Sequence, residues 1–117
     1  MQELPRIAFT TGDEPPALRV RVNFGLFAGR EATPAELEEL AHALLPEVGQ
    51  VSVVAEQRHE VSEETEVVVH QVRVDVDESL LPGEPAELRA LERRLVEAAE
   101  RWARACIADR HADVTEL

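Results

Sequence analysis

Apolar and polar residues alternate along two stretches of the chain. Leu18, Val20, Val22, Phe24 and Leu26 are interleaved with Arg19, Arg21, Asn23 and Gly25. Further on, Val68, His70, Val72, Val74 and Val76 share one parity, and Val67, Val69, Gln71, Arg73 and Asp75 the other. A side-chain period of two belongs to a half-buried strand, so strands are predicted over 17–26 and 66–76. Val51, Val53 and Ala55 mark one face of a third strand over 50–60. The polar cluster Ser62-Glu63-Glu64-Thr65 supplies the turn that pairs 50–60 with 66–76 antiparallel. At the start, Ile7-Ala8-Phe9-Thr10 reads as a short edge strand over 6–10. It ends at Thr11-Gly12-Asp13-Glu14-Pro15-Pro16, which is turn chemistry.

Two segments have the helical period. Thr33-Pro34-Ala35-Glu36 combines a capping hydroxyl, a proline suited to the first turn and a glutamate three residues after the cap, which together form a capping box. Leu37, Leu40, Ala41 and Leu44 follow as one apolar stripe, predicting a helix over 34–45 that Pro46 stops and Gly49 turns. Pro85 opens a second, longer helix to about Asp109. Leu88, Leu91, Leu95, Ala98, Ala99, Trp102 and Cys106 line its apolar side.

The two halves of the chain resemble each other. Val20-Arg21-Val22-Asn23-Phe24 matches Val72-Arg73-Val74-Asp75-Val76, and Pro34-Ala35-Glu36-Leu37 matches Pro85-Ala86-Glu87-Leu88. Two β-β-α units about a pseudo-twofold axis would produce this, although capping chemistry and strand alternation would also produce it without duplication. Either origin gives the same architecture. The expectation is a single α+β domain over 1–117, a two-layer sandwich in the order β-β-α-β-β-α. Its antiparallel sheet has three or four strands, both helices lie on one face, and the ends 1–5 and 110–117 are frayed.

Composition narrows the function. Among 117 residues there are 24 Asp and Glu against 12 basic residues, a formal net charge of −12. All 12 basic residues are arginine. The excess is uneven: four Arg against three acids over 1–30, five acids and no base over 31–49, eight acids against two Arg over 50–78, and eight acids against six Arg over 79–117. No basic stripe is hidden inside the acidic total, so nucleic acid and anionic membrane are excluded as expected partners. Charged residues interrupt every apolar run short of a membrane span, and no signal-peptide pattern is present. The expected setting is cytoplasmic. One cysteine, Cys106, excludes a disulfide framework within the chain and reads as a buried structural thiol.

Candidate chemistry is sparse. No nucleophile elbow, phosphate loop or dinucleotide fingerprint occurs, and neither a metal nor another cofactor is expected. Asp109, His111 and Asp113 alternate near the end but lack an ordered surrounding shell. His70 lies on the core side of its strand, and His59 near the hairpin end. With Arg73 they are the ligand-binding candidates, although Arg73 is on the opposite face, so the three meet only across an oligomer interface. The face away from the helices mixes charge and valine. It offers Arg19, Arg21, Val54, Glu56, Val67, Val69, Arg73 and Asp75 as interface candidates, with Ile107 on the long helix as another. Glu56 and Asp75 are placed to pair with the arginines across strands. The expected function is a non-catalytic interaction protein, a homodimer through the open sheet face or an acidic binder of a basic protein. The alternative is a small-molecule-binding domain or small enzyme with a site near His59 and His70 or at a subunit interface.

Overall fold

The computed structural model describes residues 7–11 and 18–116, with side chains for 7–10 and 18–108. The turn expected at 11–16, the chain start at 1–5 and the side chains of Asp109, His111 and Asp113 lie outside what is described. Four strands form one antiparallel sheet: β1 (Ala8–Thr11), β2 (Leu18–Val22), β3 (Ser52–Val61) and β4 (Glu66–Val76), in the order β1-β2-β4-β3. Helices α1 (Phe24–Ala28), α2 (Pro34–Val48) and α3 (Pro85–Glu116) cover one face, and a single 3-10 turn spans Glu78–Leu80. This is the expected α+β two-layer sandwich.

Strand alternation sorts the core. Leu18, Val20 and Val22 of β2 and Val72, Val74 and Val76 of β4 are buried under the helices, while Arg19, Arg21, Arg73 and Asp75 point the other way. Leu40 and Leu44 of α2 and Leu95 and Ala99 of α3 meet them with no solvent exposure. Each such aliphatic side chain contributes about 1.5–3 kcal/mol by leaving water.

The α2 capping box forms as the sequence predicts. The Glu36 backbone N–H donates to the Thr33 hydroxyl, and the Thr33 N–H donates to the Glu36 carboxylate. Pro46, however, does not end the helix. It sits inside the last turn, and Gly49 ends the helix in the left-handed conformation at φ 82°. A proline there loses one hydrogen bond near an end that is already short of partners, so the helix tolerates it. Similarly, α3 runs past Asp109 to Glu116, since no glycine or proline interrupts residues 86–116.

The expected strand over 17–26 is corrected. It ends at Val22, and Phe24–Ala28 form the short helix α1, capped by Gly29 at φ 74°. Burial decides the outcome: Phe24 turns under the helices, with its ring 5.3 Å from Trp102 and the Arg30 guanidinium 5.2 Å from its centroid. Gly25 makes this path available, because a Cβ there would lie 2.8 Å from His70 Cβ and 2.9 Å from the His70 carbonyl oxygen.

The sheet order maps onto itself when β1 is exchanged with β3 and β2 with β4. The axis passes between Arg21 and Arg73, the equivalent arginines of the two halves, which sit directly opposite each other. Arg19–Asp75 on one side of the axis corresponds to Gln71–Asn23 on the other. Arg19 Nε donates to Asp75 Oδ1, and Gln71 Nε2 donates to Asn23 Oδ1. An ion pair in one half thus takes the place of an amide pair in the other. The 3-10 turn Glu78–Leu80 follows β4 as α1 follows β2.

Candidate functional site

The face away from the helices carries a chain of alternating charges. Arg19 Nε donates to Asp75 Oδ1 at 3.2 Å, and Arg73 Nε donates to Asp75 Oδ2 at 3.1 Å. Arg73 Nη1 donates to Glu56 Oε2 at 3.2 Å, and Arg21 Nη1 donates to Glu56 Oε1. Strand register builds the chain. Arg19 faces Asp75 directly, while Arg21 faces Arg73, a like-charge opposition that disfavours pairing by itself. Glu56, one strand further out, reaches both arginines and offsets it. Half-exposed links of this kind contribute about 0.5–1 kcal/mol each.

Around this chain lie Val54, Val67, Val69 and Phe9. Val54 and Val67 are exposed at 37% and 50%. Gln71 sits in the centre and is buried by its neighbours, with its Oε1 unpartnered in the structure. The strand residues of this face carry four arginines, Arg19, Arg21, Arg58 and Arg73, against Glu56, Glu60 and Asp75. A chain of net charge −12 therefore presents one face that is close to neutral.

The ligand-binding candidates lie apart. His59 is exposed on the helix side of the hairpin, opposite Val68, with Nδ1 3.8 Å from a Glu66 oxygen. His70 is half-buried on the same side, and its Nδ1 lies 3.4 Å from a Glu31 oxygen without a hydrogen bond of proper geometry. Arg73 belongs to the ion chain on the opposite face. Ile107 is half-buried on α3. Among the described residues no cluster of three or more His, Cys, Asp or Glu is arranged to hold a metal ion.

A second polar centre, missed from the sequence, lies where α1, α2 and α3 meet. The Glu36 carboxylate accepts from Arg30 Nη1 at 2.7 Å, Arg30 Nη2 at 2.8 Å and the Thr33 N–H at 2.9 Å. Hydrogen bonding from Arg30 holds its pKa down at about 2 against desolvation. Trp102 Nε1 donates to the Glu36 carbonyl at 2.8 Å. Burial, and then the neighbouring Glu36 carboxylate, push the Cys106 thiol up to about 12. Cys106 is 3% exposed, as a structural thiol should be. Arg30 follows Gly29 and lies six residues before Glu36, with the capping threonine between them; that juxtaposition was the available signal.

Among the described residues, three shallow cavities stand out on the surface. One of about 300 Å³ lies at the start of β3 beside Asp75, Asp77 and Leu80. Another, of about 420 Å³, lies between the end of α2 and the start of α3. The third, of about 320 Å³, lies between α1 and β4, with Leu26, Val68, Val69 and His70 in its walls. No helix among the described residues is long and apolar enough to cross a membrane. No protein-family model, curated protein or solved structure matches this chain.

Proposed function

We propose that this protein is a non-catalytic interaction protein that acts as a homo-oligomer, with the open sheet face as the contact between copies. The observation that carries the reading is the charge of that face. Two copies of a −12 chain repel each other over most of their surface. The open face avoids this repulsion because its carboxylates are already matched by arginines, and it adds exposed Val54 and Val67. A mixed surface of arginine and apolar side chains is ordinary for an interface. Its size supports the reading too. Strands of about ten residues are roughly 33 Å long at about 4.8 Å spacing. The two long and two short strands therefore present on the order of 500 Å² per copy, or about 1,000 Å² for a pair, at the lower bound of specific association.

A cytoplasmic setting belongs to the same proposal, since the single thiol is free and buried and requires no oxidising environment. The test is sedimentation equilibrium between 1 and 100 micromolar (about two decades around the range where weak dimers form). Wild type should self-associate, and Arg73→Ala or Val54→Asp should raise the dissociation constant at least about tenfold. A wild type that stays monomeric throughout ends the proposal.

A further inference from the structure

The sheet consists of two long strands beside two short ones. β3 pairs with β4 from Glu66 to Asp75, but β2 pairs with β4 only from Val72 to Val76. Past Val22 the chain leaves the sheet for α1. Among the described residues, therefore, no strand lies beside β4 from Glu66 to Val69. The vacant lane is the 320 Å³ groove, with Gly25, Leu26 and Gly29 of the α1 segment on one wall and Val68 and Val69 on the other. Val68 belongs to the helix side of the sheet and Val69 to the open side. The groove thus runs along the edge of β4 rather than over either face.

The three edges of the sheet differ in protection. The outer strand β3 carries Glu56, Arg58 and Glu60, and β1 is four residues long. Charge and shortness are the usual means of keeping an edge from pairing. The free part of β4 beyond Glu66 carries no charge. It offers Val67-Val68-Val69, a run of high strand propensity, with Val67 and Val68 exposed at 50% and 45%.

We propose that this edge is a self-association site, pairing antiparallel with the same segment of a second copy about a two-fold axis at Val68. Two observations select that occupant. The alternating N–H and C=O groups of a strand edge are matched by an extended segment. The sequence of the segment also matches its own reverse. With the axis at Val68, Val67 faces Val69 of the partner subunit, and Glu66 points towards His70 of the partner subunit, setting carboxylate against imidazole. Leu26, 57% exposed on the groove wall, is covered in the same step.

This site rests on a different observation from the open-face contact, and neither requires the other. Together they are compatible: fusing two sheets edge to edge doubles the open face, so two fused pairs would stack over about 2,000 Å², a standard to large interface.

The test is a cysteine substitution, Val68→Cys, in the full chain. Directly opposed residues in an antiparallel pair have Cβ atoms about 4.5–5.5 Å apart, close enough for a disulfide after small adjustment. Val61→Cys is the control, because it is more exposed but off the axis. Under mild oxidation Val68→Cys should form a covalent dimer at least about tenfold faster than Val61→Cys, and Val68→Glu, with two carboxylates face to face, should abolish edge pairing in sedimentation while leaving the thermal unfolding of the monomer unchanged. Equal cross-linking rates at the two positions, or self-association unaffected by Val68→Glu, overturn the proposal. Val54→Asp separates the two contacts. If it has no effect while Val68→Cys cross-links, the open-face reading fails and the edge stands. If it abolishes all association and Val68→Cys does not cross-link selectively, the edge fails and the face stands.

Discussion

Replacing Glu36 by glutamine should make this protein less stable at neutral pH and no less stable in acid. The Glu36 carboxylate receives two hydrogen bonds from Arg30 and one from the Thr33 backbone, which holds its pKa near 2 against an ordinary value of 4.5. A folded-state pKa below the unfolded one stabilises the fold fully above about pH 4.5 and progressively less as the pH falls through 2. A displacement of that size corresponds to roughly 3 kcal/mol. Solvent still reaches 16% of the Glu36 side chain and 24% of Arg30, so about 2 kcal/mol is expected after screening. Glu36→Gln keeps the size of the side chain and its capacity to cap Thr33, but not the charge. Urea unfolding of both proteins at pH 7 should differ by about 2 kcal/mol, a melting shift of roughly 6–10 °C for a domain of this size. The difference should shrink steadily between pH 4.5 and 2. A difference of the same size at pH 2 and pH 7 would mean that packing, not charge, joins α2 to the Arg30 loop. No difference at pH 7 would mean that the pair is fully solvated.

Gly25→Ala should destabilise by about 1–3 kcal/mol, because the new Cβ meets the backbone oxygen and Cβ of His70, which cannot swing aside; an unchanged urea midpoint would show that α1 does not pack this closely on β4. Cys106 should react with iodoacetamide at pH 8 at least about a hundredfold more slowly in the folded protein than in denaturant, since the thiol is buried and its pKa lies near 12. Equal rates would refute both the burial and the shift.

Much of the fold was legible because local and global preferences agree. Thr33 and Glu36 start a helix by hydrogen bonding to each other, with Pro34 in the first turn and no help from the rest of the chain. The alternation over 66–76 matches the bounds of β4, and the cross-strand pairing of Glu56 with Arg21 and Arg73 follows from that register, whereas Asp75 pairs across strands with Arg19 and along its own strand with Arg73. The failures occur where tertiary packing decides. Phe24 and Leu26 continue the period of two, yet α1 forms because Phe24 gains more beneath the helices, against Trp102, than at a strand end. Glycines at 25 and 29, one helical turn apart, were the local sign of it. That error hid the candidate edge site. In the observed register a β2 that ran to residue 26 would reach Val68 and leave little of the lane open. Pro46 misled in a simpler way, since it costs little where the last turn is already short of hydrogen bonds.

The pseudo-twofold axis has a consequence for how such a chain can change. A residue on the axis confronts its own equivalent, so a charge common to both halves is met there by the same charge. Arg21 and Arg73 are in that position. Both reach the single carboxylate of Glu56, and the equivalent position in the first half is Thr11. One carboxylate serving two arginines makes the halves unequal. The halves also differ on either side of the axis, where an Arg19–Asp75 ion pair stands opposite a Gln71–Asn23 amide pair. Symmetry of the backbone thus leads to asymmetry of the side chains, and it is on the unequal half, along β4, that the long strand and its open edge are found.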